Sequence, residues 1–304
     1  MEYLNLSSGG RIPNIGIGPG SIGYSPLYKK PKTGFSLLCN KFVNKYYCRP
    51  SLKRRYISGV ENALRSGFRL LDYSSAYGDG TLIGEAIRRS EVPREELFIT
   101  TRVSNRAQQE RTVREEFMKC LKGLNMEYVD LLQIHWPVTG LYLDTWREME
   151  KLYDEGYVKH LGVANCHQHH LEILFKVCKY CPEVGQFEIH PLFTQKPLID
   201  YYKSHNIVVE AYTPIARYDD RLVRLPLLKK LEKKYNKSFI QIILRWHIQN
   251  GVIPLVRSLN LKHQIENIDI FDFDISDSDM KAIDGININS RLRYDPDNCD
   301  FSIL

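Results

Sequence analysis

The sequence predicts an α/β protein of the (β/α)8 TIM-barrel class, on three observations. Short apolar runs of strand character alternate with amphipathic helical stretches over most of the 304 residues. Counting residues 14–18, there are eight such runs, and a barrel of this kind takes about 250 residues. Asp72, Arg102 and His135 stand at the carboxyl ends of three consecutive runs, where barrel enzymes place reactive groups. No Pro/Gly/Ser-rich linker interrupts the alternation, so residues 1–304 are expected to form a single barrel domain.

Taken in order, residues 4–6 and 11–13 flank the pair Gly9-Gly10 and read as an N-terminal β-hairpin. The first barrel strand is expected at 14–18, and the others at about 69–72, 97–102, 130–135, 158–163, 185–188, 207–211 and 252–254. Helices are expected at about 51–66, 81–90, 111–124, 143–155, 167–179, 196–204, 226–235 and 238–250. Residues 18–23 match G-x-G-x-x-G, but that motif needs a helix at once and an acid about 20 residues later. Tyr24-Ser-Pro-Leu-Tyr and Pro31 follow instead, with no acid before Glu61, so the dinucleotide fingerprint is rejected.

Between the first strand and the first helix lies an inserted basic and aromatic loop, residues 25–53. It carries Lys29, Lys30, Lys32, Lys41, Lys45, Arg49 and Lys53, interleaved with Tyr28, Phe35, Phe42, Tyr46 and Tyr47. Residues 3–60 hold ten Lys or Arg and no Asp or Glu, so the net charge of +6 is local and the remainder is net negative. A lid over the barrel mouth, gripping an anionic substrate, suits this segment better than nucleic-acid binding, for which no recognised module is present. No run of about 20 apolar residues exists, so no membrane span is expected, and seven cysteines in a chain this long fit reduced thiols in the cytoplasm.

The text G-F-R-L-L-D at 67–72, Tyr77 five residues on, and H-W-P at 135–137 resemble the aldo-keto reductase family. The resemblance implies a catalytic tetrad of Asp72, Tyr77, Arg102 and His135, with Arg102 where the family has lysine. Tyr77 is the implied general acid, His135 orients the carbonyl oxygen, and Asp72 holds the cation. It further implies a nicotinamide site at Asn165, Gln186 and Tyr212, the last stacking on the ring. The segment Ile253-Pro-Leu-Val-Arg-Ser-Leu-Asn fits the family's I-P-K-S stretch with two extra residues after Pro254. Arg257, Ser258 and His263 then stand for the groups that hold a 2′-phosphate, and Glu266 and Asn267 for those that reach adenine. Trp136, Ser104 and Tyr24 are the implied substrate-pocket residues.

The implied function is NADPH-dependent reduction of an aldehyde or ketone, with NADH as the alternative cofactor, by a monomeric protein. The second reading is a weakly active nicotinamide-binding barrel serving as a regulatory or partner-binding subunit. Cys166, His167, His169, His170, Cys178 and Cys181 are dense in metal-ligating groups, but they span the length of the helix expected at 167–179. Few of them can then meet at one ion, and no metal is expected.

Overall fold

A computed structural model describes residues 2–20, 49–74 and 80–301; most of the inserted loop, Tyr24 and Tyr77 lie outside the described residues. Strands β1 (Tyr3–Asn5) and β2 (Arg11–Pro13) form the antiparallel hairpin, with Tyr3 opposite Pro13. The barrel strands are β3 (Gly16–Ile17), β4 (Leu70–Asp72), β5 (Phe98–Val103), β6 (Val129–Ile134), β7 (Val158–Ala164), β8 (Val184–Glu188), β9 (Val208–Tyr212) and β10 (Val252–Val256). All pair in parallel, each with its neighbour in sequence, and β10 closes the ring on β3.

The helices are α1 (Arg49–Arg65), α2 (Gly80–Ser90), α3 (Asn105–Glu110), α4 (Val113–Leu124), α5 (Tyr142–Asp154), α6 (Gln168–Leu174), α7 (Lys196–Ser204), α8 (Asp220–Val223), α9 (Pro226–Tyr235), α10 (Phe239–Gln249), α11 (Leu261–Ile268) and α12 (Asp277–Asp284). Local chemistry sets several ends. At α10 the Ser238 hydroxyl accepts from the Gln241 N–H, and the Gln241 side chain accepts from the Ser238 N–H. That reciprocal pair satisfies two otherwise orphaned donors.

The hairpin closes the amino-terminal end of the barrel. Leu6 and Ile12 pack in one apolar cluster with Leu70, Phe98, Leu131, Val184 and Ile253. Three of these, Leu70, Phe98 and Val184, are the first residues of their strands. The hairpin turn is anchored where the Ser8 N–H and hydroxyl donate to Glu183, at 2.9 and 2.7 Å. With that end filled, the carboxyl ends of the strands form the open face.

Several boundaries differ from the sequence reading for definable reasons. The first strand keeps only two residues in the barrel ladder, and β10 runs on to Val256. Leu255 and Val256, the two extra residues after Pro254, are the ones that pair with Gly16 and Ile17. The helix expected at 167–179 ends at Leu174. Beyond it, the Glu150 carboxylate accepts from the backbone N–H groups of Lys179 and Tyr180, at 2.6 and 3.0 Å, and draws the chain out of helical register. Helix α3, not foreseen, starts where the Ser104 hydroxyl caps the Ala107 N–H.

One close approach ties sheet to helix layer. A Cβ built on Gly185 of β8 would lie 1.9 Å from a ring carbon of Tyr202, which is fully buried on α7. Tyr202 is held there by its hydroxyl, which donates to the Cys166 carbonyl at 2.8 Å. Gly185→Ala is therefore expected to lower stability by about 1–3 kcal/mol through overpacking. Urea denaturation would measure this, and pairing the change with Tyr202→Ala should recover part of the loss.

Candidate active site

Asp72 ends β4 and Arg102 lies one residue from the end of β5, both buried and both at the open face. One guanidinium nitrogen of Arg102 donates to Asp72 Oδ1, and the same nitrogen donates to Gln186 Oε1 at 2.7 Å. Gln186 in turn donates to Glu210 Oε2 at 2.8 Å, and Gln133 donates to that oxygen at 3.1 Å. The network thus links β4, β5, β8, β9 and β6 across the barrel interior.

A cation and two carboxylates in so dry a place must share charge. Burial pushes the Asp72 carboxyl up, and the Arg102 charge and hydrogen bonds pull it partly back. Burial, then the Asp72 charge, holds Glu210 up at about 7, so near neutral pH it is only partly ionised. Partial protonation of Glu210 lowers the cost of burying two carboxylates near one arginine.

His135 follows β6, and its N–H donates to the Val103 carbonyl at 3.2 Å. Burial, then the positive charges of Arg102 and Arg293, push the imidazole down to about 3. It is therefore neutral at physiological pH, with a ring N–H to offer an oxygen without adding a cation.

Asn165 stands just after β7 in the left-handed region, φ +59°, which asparagine tolerates better than most residues. Its amide donates to the His135 carbonyl at 2.9 Å and accepts from the Tyr212 hydroxyl at 2.7 Å. Asn165 thus holds together the ends of β6, β7 and β9. Gln186, which the resemblance assigns to the nicotinamide amide, has its oxygen on Arg102 and its nitrogen on Glu210.

The loop after β3 connects this centre to a second group of residues. A Cβ on Gly18 would touch Asp72 Oδ2 at 3.4 Å, and one on Gly20, at φ +66°, would lie 2.7 Å from Cζ of Arg257. Arg257 is exposed just past β10, and Ser258 is half-buried, its hydroxyl accepting from the Asn260 N–H at 3.1 Å. Asn260 caps α11 by accepting from the His263 N–H. On that helix His263 is exposed, Glu266 half-buried and Asn267 buried. An exposed guanidinium, a hydroxyl and a helix start are groups with the chemistry to receive a phosphate.

Trp136 is buried beside His135, and its carbonyl accepts from Gln108 at 2.9 Å. Ser104 is turned to structure: besides capping α3, its hydroxyl donates to Glu116 at 2.5 Å. Residues not singled out from sequence also shape the site. The backbone N–H groups of Leu292 and Arg293 donate to the fully buried Glu188, at 2.7 and 3.0 Å, and lash the C-terminal tail to β8. Glu188 and Glu210 each sit in a fully or largely buried strand, V-G-Q-F-E and V-V-E-A-Y, a signal that marks buried charge needing a partner.

Residues 48–288 match the model of the Aldo/keto reductase family. The chain belongs to the aldo/keto reductase family. It is 42% identical over 242 residues to a glyoxal reductase of Bacillus subtilis, covering 80% of this chain and 87% of that one. It is 38% identical to a 9,11-endoperoxide prostaglandin H2 reductase of Trypanosoma cruzi, covering 79% and 86%. Among solved structures, an aldo/keto reductase of Brucella melitensis superposes with TM-score 0.80 at 33% identity, covering 94% of this chain and 99% of that one. A Bombyx mori aldo-keto reductase in complex with NADP superposes with TM-score 0.83 at 28% identity, covering 97% and 96%. This aldo/keto reductase is accordingly an oxidoreductase whose chemistry is carbonyl reduction with a nicotinamide cofactor. Among its described residues no helix is long and apolar enough to cross a membrane.

Two outcomes are expected. Arg102→Met leaves Asp72 buried without its cation, and should cost about 3–5 kcal/mol of stability in urea denaturation. The neutral state of His135 has a defined pH consequence. Unfolded, its imidazole takes up a proton near pH 6.5; folded, it resists one down to about 3. The unfolded chain therefore binds more protons in that window, and stability should fall as pH falls from about 6.5 toward 3. Urea midpoints across that range should drop less steeply for His135→Asn than for wild type.

Proposed function

We propose that this chain is a single-domain NADPH-dependent reductase of small reactive aldehydes or ketones, with Tyr77 as general acid. The observation that carries this reading is the buried Asp72–Arg102 pair set beside a neutral His135 and the Asn165–Tyr212 bond at the open face. When bound, the cofactor supplies a hydride to the carbonyl carbon. Charge then builds on the carbonyl oxygen, and His135 offers it an N–H while Tyr77 supplies the proton. Arg102 lowers the proton affinity of Tyr77 by its charge, and Asp72 keeps that charge in place. Arg257, Ser258 and His263 hold the 2′-phosphate, Glu266 and Asn267 lie toward adenine, and Asn165, Gln186 and Tyr212 meet the nicotinamide. The glyoxal reductase relative and an Escherichia coli relative named methylglyoxal reductase DkgA, 33% identical, favour a short α-dicarbonyl substrate. Arg293, whose charge reaches His135, favours one with anionic or strongly polarised oxygens. The described cysteines are all free, which suits a reducing, cytoplasmic setting.

A second reading, a nicotinamide-binding barrel with little turnover, draws on Arg102 itself: one of its guanidinium nitrogens donates to Gln186 as well as to Asp72. The two separate in one assay. Purified protein with NADPH and methylglyoxal should consume the reduced cofactor, and Tyr77→Phe should lose about 10²–10⁴-fold in kcat, the range for general acid catalysis. NADPH binding without turnover, with activity gained in Arg102→Lys, would overturn the reductase reading in favour of the second.

A further inference from the structure

The tail that reaches Glu188 continues over a cluster of side chains which carbonyl reduction does not use. His167, His169 and His170, at the start of α6, surround one carboxylate from the tail, Asp297. Asp297 Oδ2 lies 2.7 Å from His167 Nδ1, and Oδ1 lies 3.2 Å from His169 Nε2 and 3.6 Å from His170 Nε2. The ligand atoms of His167, His169 and Asp297 all fall within 4.8 Å of one another.

We propose that His167, His169 and Asp297 form a binding site for a zinc-class divalent transition ion, which fastens the C-terminal tail to the face of the barrel. Three considerations select this chemistry. Two imidazoles and one carboxylate are the donors of three-ligand zinc sites, and they leave a position for water. Imidazole donors disfavour magnesium and calcium, which prefer all-oxygen shells. The spacing is within reach of such a site: bonds of about 2.0–2.1 Å place ligand atoms roughly 3.3 Å apart in a tetrahedron. Here the Asp297 oxygens lie 2.7 and 3.2 Å from the two imidazole nitrogens, with all three ligand atoms within 4.8 Å of one another. Small rotations of exposed side chains suffice, since His169 and Asp297 are more than a third exposed.

The surroundings refine the assignment. His170 Nδ1 accepts from the His167 N–H at 3.0 Å, which sets the orientation of its ring, and its ring centroid lies 4.0 Å from that of His169. It borders the site and supports its neighbours. The Arg291 guanidinium lies 3.4 Å from His167 Nε2, on the nitrogen that faces away from Asp297, so an ion on Nδ1 does not have to displace it. The sequence reading missed the site because Asp297, its anionic ligand, lies 130 positions from His167.

The test uses the full chain carrying Cys178→Ser and Cys181→Ser, because those thiols, 3.7 Å apart, could capture metal on their own. Chelator-washed protein is titrated calorimetrically with zinc chloride, and in parallel with cobalt(II), whose visible bands report coordination by nitrogen and oxygen. One ion per chain is expected, with binding weakened about tenfold or more by Asp297→Asn and by His169→Gln, and with matching loss of the cobalt bands. Limited proteolysis should show the tail better protected with zinc than without, in the parent but not in Asp297→Asn. Absence of stoichiometric binding, or binding unchanged by both substitutions, would overturn the proposal and leave the cluster as a hydrogen-bonded latch. The outcome is independent of whether the chain turns over NADPH.

Discussion

The ion pair of Asp72 with Arg102 is the interaction on which the site depends. It is buried at the junction of two strands, and neither charge could stay there without the other. Through Gln186 it also reaches the far side of the barrel, so five strands must be in register before the cation is correctly seated. The site is thus a consequence of barrel closure.

The use of arginine at this position has a structural counterpart. A guanidinium carries several donors in a fixed plane, whereas an ammonium is a compact point charge. Here one guanidinium nitrogen donates to both Asp72 and Gln186, and Gln186 then meets Glu210, whose partial protonation relieves the excess of negative charge. The same cation, with Arg293 and burial, keeps His135 neutral. Arg102 therefore bears on the ionisation of three neighbours, each governed first by burial.

The two ends of the chain do opposite work. The N-terminal hairpin fills one end of the barrel with Leu6 and Ile12 and is tied down by Glu183. The C-terminal tail crosses the other end, held by Glu188 and meeting the histidines at the start of α6 through Asp297. Both anchors are acidic side chains that accept bonds from segments more than 100 positions away.

How much of this was legible depends on the range of the physics involved. Alternation of apolar runs, the hairpin glycines, and polar residues at strand ends are local properties, and they were enough to specify eight parallel strands, their order and the open face. The literal stretches at 67–72 and 135–137 likewise pointed to the aldo/keto reductase family. Boundaries failed where a distant group intervened, as when Glu150 captured the backbone after α6 and when β3 kept only the residues that β10 could pair. The partners of Gln186, the buried charge on Glu210 and the meeting of Asp297 with three histidines were decided only by the tertiary structure. Each depends on residues far apart in sequence, and for Gln186 and Glu210 the strength of the bonds comes from the burial that the closed barrel creates.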